Sequence, residues 1–180
     1  EEQEDFTLED TVFDACEADQ DGCAFYLNVS SSPVLRKVTF QNHRFDRNVS
    51  VILSNVEFQD LYTIDTCTFT NNLFQNTREQ DGGGSGIFIA NGFHSELESS
   101  YKLSFVGCTW KGNTAAYGGA FSSGNNLYHQ DTEVVFERCT FENNIAQNSK
   151  GGALYLKSTQ QFLFDECTFN TNRCHNPDSP

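Results

Sequence analysis

The chain contains no methionine, a single tryptophan and three prolines in 180 residues. It has no Lys or Arg before Arg36, and no apolar run approaching the roughly 18–20 residues of a bilayer-spanning helix. Each absence removes a class. Without the apolar run, no helical membrane span is expected. With 11 basic against 25 acidic residues and a net charge of −14, the chain has no basic face to neutralise phosphates, so nucleic-acid binding is not expected. The C-x2-C spacing of zinc sites is missing, which argues against a metal reading of the cysteines. Gly82-Gly83-Gly84-Ser85-Gly86 lacks the Lys-Ser/Thr ending of a phosphate-cradling loop. No signal peptide is visible, and Glu1 reads as a mature end left by cleavage.

What the chain does have is repetition. Cys67-Thr68-Phe69, Cys108-Thr109-Trp110, Cys139-Thr140-Phe141 and Cys167-Thr168-Phe169 are copies of one phrase, and Asn72, Asn113, Asn144 and Asn172 follow three residues after each aromatic. A second phrase, Gly118-Gly119-Ala120-Phe121, returns as Gly151-Gly152-Ala153-Leu154. Upstream of each cysteine, apolar residues alternate: Tyr62 and Ile64, Leu103 and Phe105, Val134 and Phe136, Phe162 and Phe164. Alternation marks strands, and the pair before each cysteine, polar in every copy but Val106-Gly107, marks a bend. The same frame fits Leu35 to Phe40, with Val38 in place of Cys, and Phe6 to Phe13 inside the acidic start.

The aromatic anchors Phe13, Phe40, Phe69, Trp110, Phe141 and Phe169 are separated by 27, 29, 41, 31 and 28 residues. Repeats of this length mark a solenoid, in which each unit buries its apolar side against its neighbours. The expected fold is all-β: a single-stranded, right-handed parallel β-helix of about five coils, each with three short strands. Residues 1–21 form an acidic partial coil, 22–174 the coils proper and 175–180 a tail. Insertions near 75–83, 91–101 and 123–131 are expected as loops. Gly86 is expected to align with Gly119 and Gly152, and the second-coil counterpart of the Gly-Gly-Ala strand is expected near residues 49–53. His94 and His129 lie in the loops and read as ordinary exposed residues.

Residues two apart on a strand face the same way. Cys67, Cys108, Cys139 and Cys167 should therefore form one core column, and Phe69, Trp110, Phe141 and Phe169 an offset-stacked column beside it, which accounts for 17 Phe in a chain of this size. Each Asn should turn the chain, accepting left-handed backbone angles while its amide bonds along the stack. His43 and Cys16 stand at that place in the early coils, where different turns are expected. Seven cysteines leave one thiol over. Disulfides are considered among Cys16, Cys23, Cys167 and Cys174, as Cys16–Cys23 or Cys167–Cys174. The sequons at Asn28 and Asn48 mark N-glycosylation sites if the source is eukaryotic. Residues Glu17 to Gly22 resemble half of a calcium loop, but its twelfth position is Asn28 instead of Glu.

The two phrases together resemble the repeats of the chlamydial polymorphic outer membrane proteins, defined by Gly-Gly-Ala-(Ile/Leu/Val) and Phe-x-x-Asn. Gly151 to Leu154, Phe69 with Asn72, Phe141 with Asn144 and Phe169 with Asn172 fit; Gly118 to Phe121 and Trp110 with Asn113 are near matches. The resemblance covers most of residues 6–174. It implies a surface-displayed β-helical passenger used in adhesion, located outside the cell.

The functional expectation is a non-enzymatic extracellular or cell-surface module, structural or adhesive, with no catalytic residues, cofactor or metal. Its partners would be copies of itself or continuing β-helix coils at the open ends, which favours a fibre subunit. The alternatives are a glycan- or receptor-binding module using loops 91–101 and 123–131, with Phe93, Tyr101, Tyr117 and Tyr128 as contacts, and a carbohydrate-active β-helix enzyme.

Overall fold

The computed structural model describes residues 6–18, 24–29, 33–45, 52–56, 61–74, 87–89, 102–122, 133–148, 150–156 and 161–175. The chain winds as a parallel β-solenoid. Three six-stranded sheets run its length, and every strand pairing in them is parallel. Six levels result: residues 6–18, 33–45, 61–74, 102–115, 133–146 and 161–175. Five full turns separate the first from the last.

Each level repeats one path. The first strand carries the alternating apolar residues (Leu61–Asp65, Lys102–Val106, Glu133–Glu137 and Gln161–Asp165 in the last four levels). A two-residue bend leads to the second strand, which carries the Thr-aromatic pair (Thr68–Thr70, Thr109–Lys111, Thr140–Glu142, Thr168–Asn170). A second bend leads to a two-residue strand (Leu73–Phe74, Thr114–Ala115, Ile145–Ala146, Arg173–Cys174). This third sheet adds a strand to each coil beyond the three expected from the sequence. Between levels the chain returns through Phe25–Val29, Ile52–Val56, Ile87–Ile89, Phe121–Ser122 and Leu154–Tyr155.

The return strands correct one expectation. The second-coil strand starts at Ile52, aligned with Phe25 below and Ile87 above. Ile87–Ile89 therefore completes a three-stranded sheet with the two earlier return strands, while Phe121–Ser122 and Leu154–Tyr155 pair separately. Gly86, the loops 75–83, 91–101 and 123–131, the tail beyond His175, His94, His129, Asn48 and Cys23 lie outside the described residues.

Vertical register holds as the alternation requires. Phe69 aligns with Phe40 and Trp110, Trp110 with Phe141, and Phe141 with Phe169. The rings of Phe13, Phe40, Phe69, Trp110, Phe141 and Phe169 form one column, with centroids 4.9, 5.4, 5.1, 4.9 and 4.7 Å apart and planes within 10° of parallel. Each contact contributes about 0.5–1.5 kcal/mol beyond burial. A second column, Phe105, Phe136 and Phe164, stands edge-on to the first: Phe105 meets Trp110 at 67° and Phe136 meets Phe141 at 69°. The prism is thus filled by two sets of rings at steep angles, with Ala120, Phe121 and Ala153 closing the return side.

The bends explain how such short strands stay aligned. Both bend positions of every level hold left-handed backbone, with φ between 49° and 65°: Asp10, Lys37, Thr66, Gly107, Arg138 and Glu166 at the first, Ala15, Asn42, Asn71, Gly112, Asn143 and Thr171 at the second. The left-handed residue is therefore the one before each ladder Asn and not the Asn itself, correcting the sequence reading. Cys16 and His43 follow the same bend as the others, so the early turns do not differ. In the first five levels each left-handed residue donates its peptide N–H to the next level, as Thr66 does to the Val106 carbonyl at 2.7 Å and Arg138 to Asp165 at 2.8 Å. That bond offsets a conformation that costs an ordinary residue roughly 1–2 kcal/mol. Thr66 is β-branched, and Asn visits this region more readily. Thr66→Asn should raise stability by about 0.5–1 kcal/mol; a lower urea midpoint than the parent's would contradict this account of the bend.

Candidate functional site

The expected cysteine column is present. Cys67, Cys108 and Cys139 are buried, and Cys167 is half-buried in the last level. Each thiol donates to a carbonyl of the level below: Cys67 to Leu35, Cys108 to Ile64, Cys139 to Phe105 and Cys167 to Phe136, at 3.2–3.6 Å. Burial pushes the Cys108 thiol well above its ordinary range. The column is packing, with the sulfurs engaged in place. Cys16, Cys167 and Cys174 are also free thiols. A Cys167–Cys174 bridge is not formed, because Cys167 points into the core toward Phe136 whereas Cys174 is exposed one bend later. Among the described residues no group of three or more His, Cys, Asp or Glu side chains is arranged to hold a metal ion, and no helix is long and apolar enough to cross a membrane.

Beside the rings runs a buried amide ladder. The Asn113 side-chain oxygen accepts from the Asn72 peptide N–H at 3.0 Å and the Asn72 amide at 3.1 Å. Asn144 does the same for Asn113, and Asn172 for Asn144. Each amide also donates to the carbonyl of the aromatic one level below its own, Asn113 to Phe69 at 2.8 Å and Asn172 to Phe141 at 2.8 Å. The ladder has direction: every oxygen serves the preceding level and every peptide N–H requires the following one.

His43 continues this ladder with an imidazole. Its peptide N–H donates to the Asn72 oxygen at 3.1 Å, and its Nδ1 accepts from the Cys16 N–H at 2.9 Å. The ring packs on Phe45, and Nε2 is buried without a hydrogen-bond partner among the described residues. With Nδ1 accepting, the neutral ring carries its proton on Nε2. Burial holds the imidazole below its ordinary value of 6.5, against the opposing pull of the Asp14 carboxylate. The unfolded chain therefore takes up a proton before the folded one does. Stability from this site is complete above pH 6.5 and declines as the pH falls below it, by at most about 1.4 kcal/mol per pH unit. His43→Asn should flatten the stability profile just below pH 6.5; an unchanged slope would remove His43 from this role.

The two ends of the ladder differ. At the first level Cys16 offers no amide oxygen. At the last, the Asn172 peptide N–H has no partner among the described residues, whereas the corresponding groups of Asn72, Asn113 and Asn144 are all bonded. The last level is also uncovered. Phe169 is 49% exposed and Phe164 37%, although their counterparts Phe141 and Phe136 are fully buried. This open face is the strongest candidate site among the described residues. No residue-type signal marks it, since its phrases repeat those of buried levels.

On the return side, Tyr117 lies 5.5 Å from Tyr155, with the Lys150 ammonium over both rings at 5.7 and 5.9 Å. Of the aromatics expected to make binding contacts, only Tyr117 falls within the described residues. Compared with known proteins, the chain matches no family model, no curated protein and no solved structure.

Proposed function

We propose that this chain is a non-enzymatic structural or adhesion module of the cell surface or extracellular space that associates end to end through its β-helix levels. The supporting observation is the open face of the last level. Rings that are sealed in every preceding interface there meet solvent, and strand edges paired on one side only are templates for another strand. A level that stacks on Phe169 repeats a contact made five times inside the molecule. Contacts of this head-to-tail kind do not close, and they extend into filaments. The resemblance to surface-displayed passenger repeats favours an external location.

Light scattering with negative-stain imaging over a concentration series tests the reading. Particles that lengthen along one axis at constant width are expected. Monomers persisting at high concentration would contradict end-to-end association. A glycan-binding surface is the second reading, favoured by the Tyr117–Tyr155 ring pair. Deleting residues 123–131 would abolish such binding with the fold intact.

A further inference from the structure

We propose that stacking of one copy on another is gated by a corner of four carboxylates, Asp165 and Glu166 at the end of one copy against Glu9 and Asp10 at the start of the next. The inference rests on the end-to-end reading above and specifies how that contact is controlled.

The register inside the molecule defines what a second copy would meet. One vertical column of the first sheet runs Glu9, Arg36, Asp65, Val106, Glu137, Asp165. The residue after each occupies the first bend: Asp10, Lys37, Thr66, Gly107, Arg138, Glu166. Level by level, this corner is doubly acidic, doubly basic, singly acidic, neutral, mixed and doubly acidic. Within the chain no doubly acidic corner lies on another. Glu9 and Asp10 face Arg36 and Lys37, with contacts of 3.8 Å from Arg36 to Glu9 and from Lys37 to both acids. Arg36 in turn reaches Asp65 at 3.3 Å. Below Asp165 and Glu166, the level at Glu137 and Arg138 supplies one cation.

A second copy laid on the last level in the same register places Phe13 over Phe169, Leu8 over Phe164 and Glu17 over Arg173. Those three alignments are favourable: ring on ring, apolar on apolar, and acid on base. At the corner the same register places Glu9 over Asp165 and Asp10 over Glu166, four exposed carboxylates with no cation between them. Like charges directly opposite on paired strands are destabilising. The described residues of the first level, 6–18, hold four acidic side chains and no basic one. The ladder adds a second mismatch, since Cys16 above Asn172 has no amide oxygen for the waiting N–H. The ends match in backbone and core and mismatch in charge, so association between copies is held back by a term that salt screens.

The test uses the full chain and the double variant Asp165→Arg, Glu166→Lys, which copies the Arg36–Lys37 pair onto an exposed corner. Circular dichroism establishes that both proteins fold. Sedimentation velocity then follows assembly from low to high salt. The variant is expected to assemble at a concentration at least tenfold below that needed by the parent, and to weaken as salt is added. The parent is expected to strengthen over the same range. Cys16→Asn, which supplies the missing oxygen, should promote assembly further in the variant background. If parent and variant assemble equally well, with the same salt response, the gate is refuted while end-to-end association stands. If neither assembles at any salt concentration, the end-to-end reading fails and the gate with it.

Discussion

Gly119→Ala will destabilise the fold by about 3 kcal/mol or more, toward the upper end of overpacking costs, and Gly152→Ala will cost less. A Cβ on Gly119 would lie 2.5 Å from the Gly152 carbonyl oxygen and 2.6 Å from the Ile145 nitrogen. Both are backbone atoms, and Ile145 belongs to a level held from above and below. Real Cβ atoms do not approach so closely, so the return strand or the Ile145–Ala146 strand must shift, and with it the hydrogen bonds that tie the coils. A Cβ on Gly152 meets the Arg173 backbone at 2.7 Å. Arg173 is in the last level, whose outer side is uncovered, and it can move. Urea midpoints of the two variants check the order. Equal effects, or a larger one at Gly152, would contradict the account of close approach between return and third-sheet strands.

The second large effect is at the amide ladder. Asn113→Ala removes the acceptor of the Asn72 peptide N–H and a donor to the Phe69 carbonyl, both in the dry interior. A buried group left without a partner costs about 1–3 kcal/mol, so the loss should be about 3 kcal/mol. Asn113→Asp should be no milder, because a carboxylate has no N–H for Phe69 O or Asn144 Oδ1. Thermal unfolding of the two variants beside the parent checks this. A loss below about 0.5 kcal/mol, typical of an exposed site, would mean that the ladder is not buried as described.

The vertical register could be read in the sequence because alternation has a fixed meaning. Cys67 and Phe69 lie two apart, so they share a face, and identical phrases at similar spacing must then superpose. That reasoning located the cysteine column and the ring column beside it, but not the second ring column of Phe105, Phe136 and Phe164. It could not find the third sheet, whose two-residue strands are too short to alternate. It misplaced the left-handed positions for a related reason. Asp10, Lys37 and Thr66 share no side-chain chemistry; the requirement is on backbone alone, and their exposed side chains are free to vary. The Asn was the recurring residue, so the bend was assigned to it, although its recurrence reflects the buried ladder. His43 departs from the repeat in residue identity but not in acceptor chemistry: Nδ1 does what the amide oxygen does elsewhere. The strand at Ile52–Val56 lacked a Gly-Gly-Ala phrase to fix its register. The open face could not be seen in the sequence at all, since Phe169 belongs to the same phrase as the buried Phe141.

The central claim is that corresponding side chains of consecutive levels touch, and a double-mutant cycle on Asn113 and Asn144 tests it most directly. With Asn144 Oδ1 accepting from Asn113, the two Ala substitutions should couple by about 1 kcal/mol or more. Asn72 and Asn172, three levels apart, should be additive within about 0.5 kcal/mol. Additivity of the Asn113 and Asn144 substitutions within that same limit would contradict the stacked ladder and the coil-on-coil arrangement built on it.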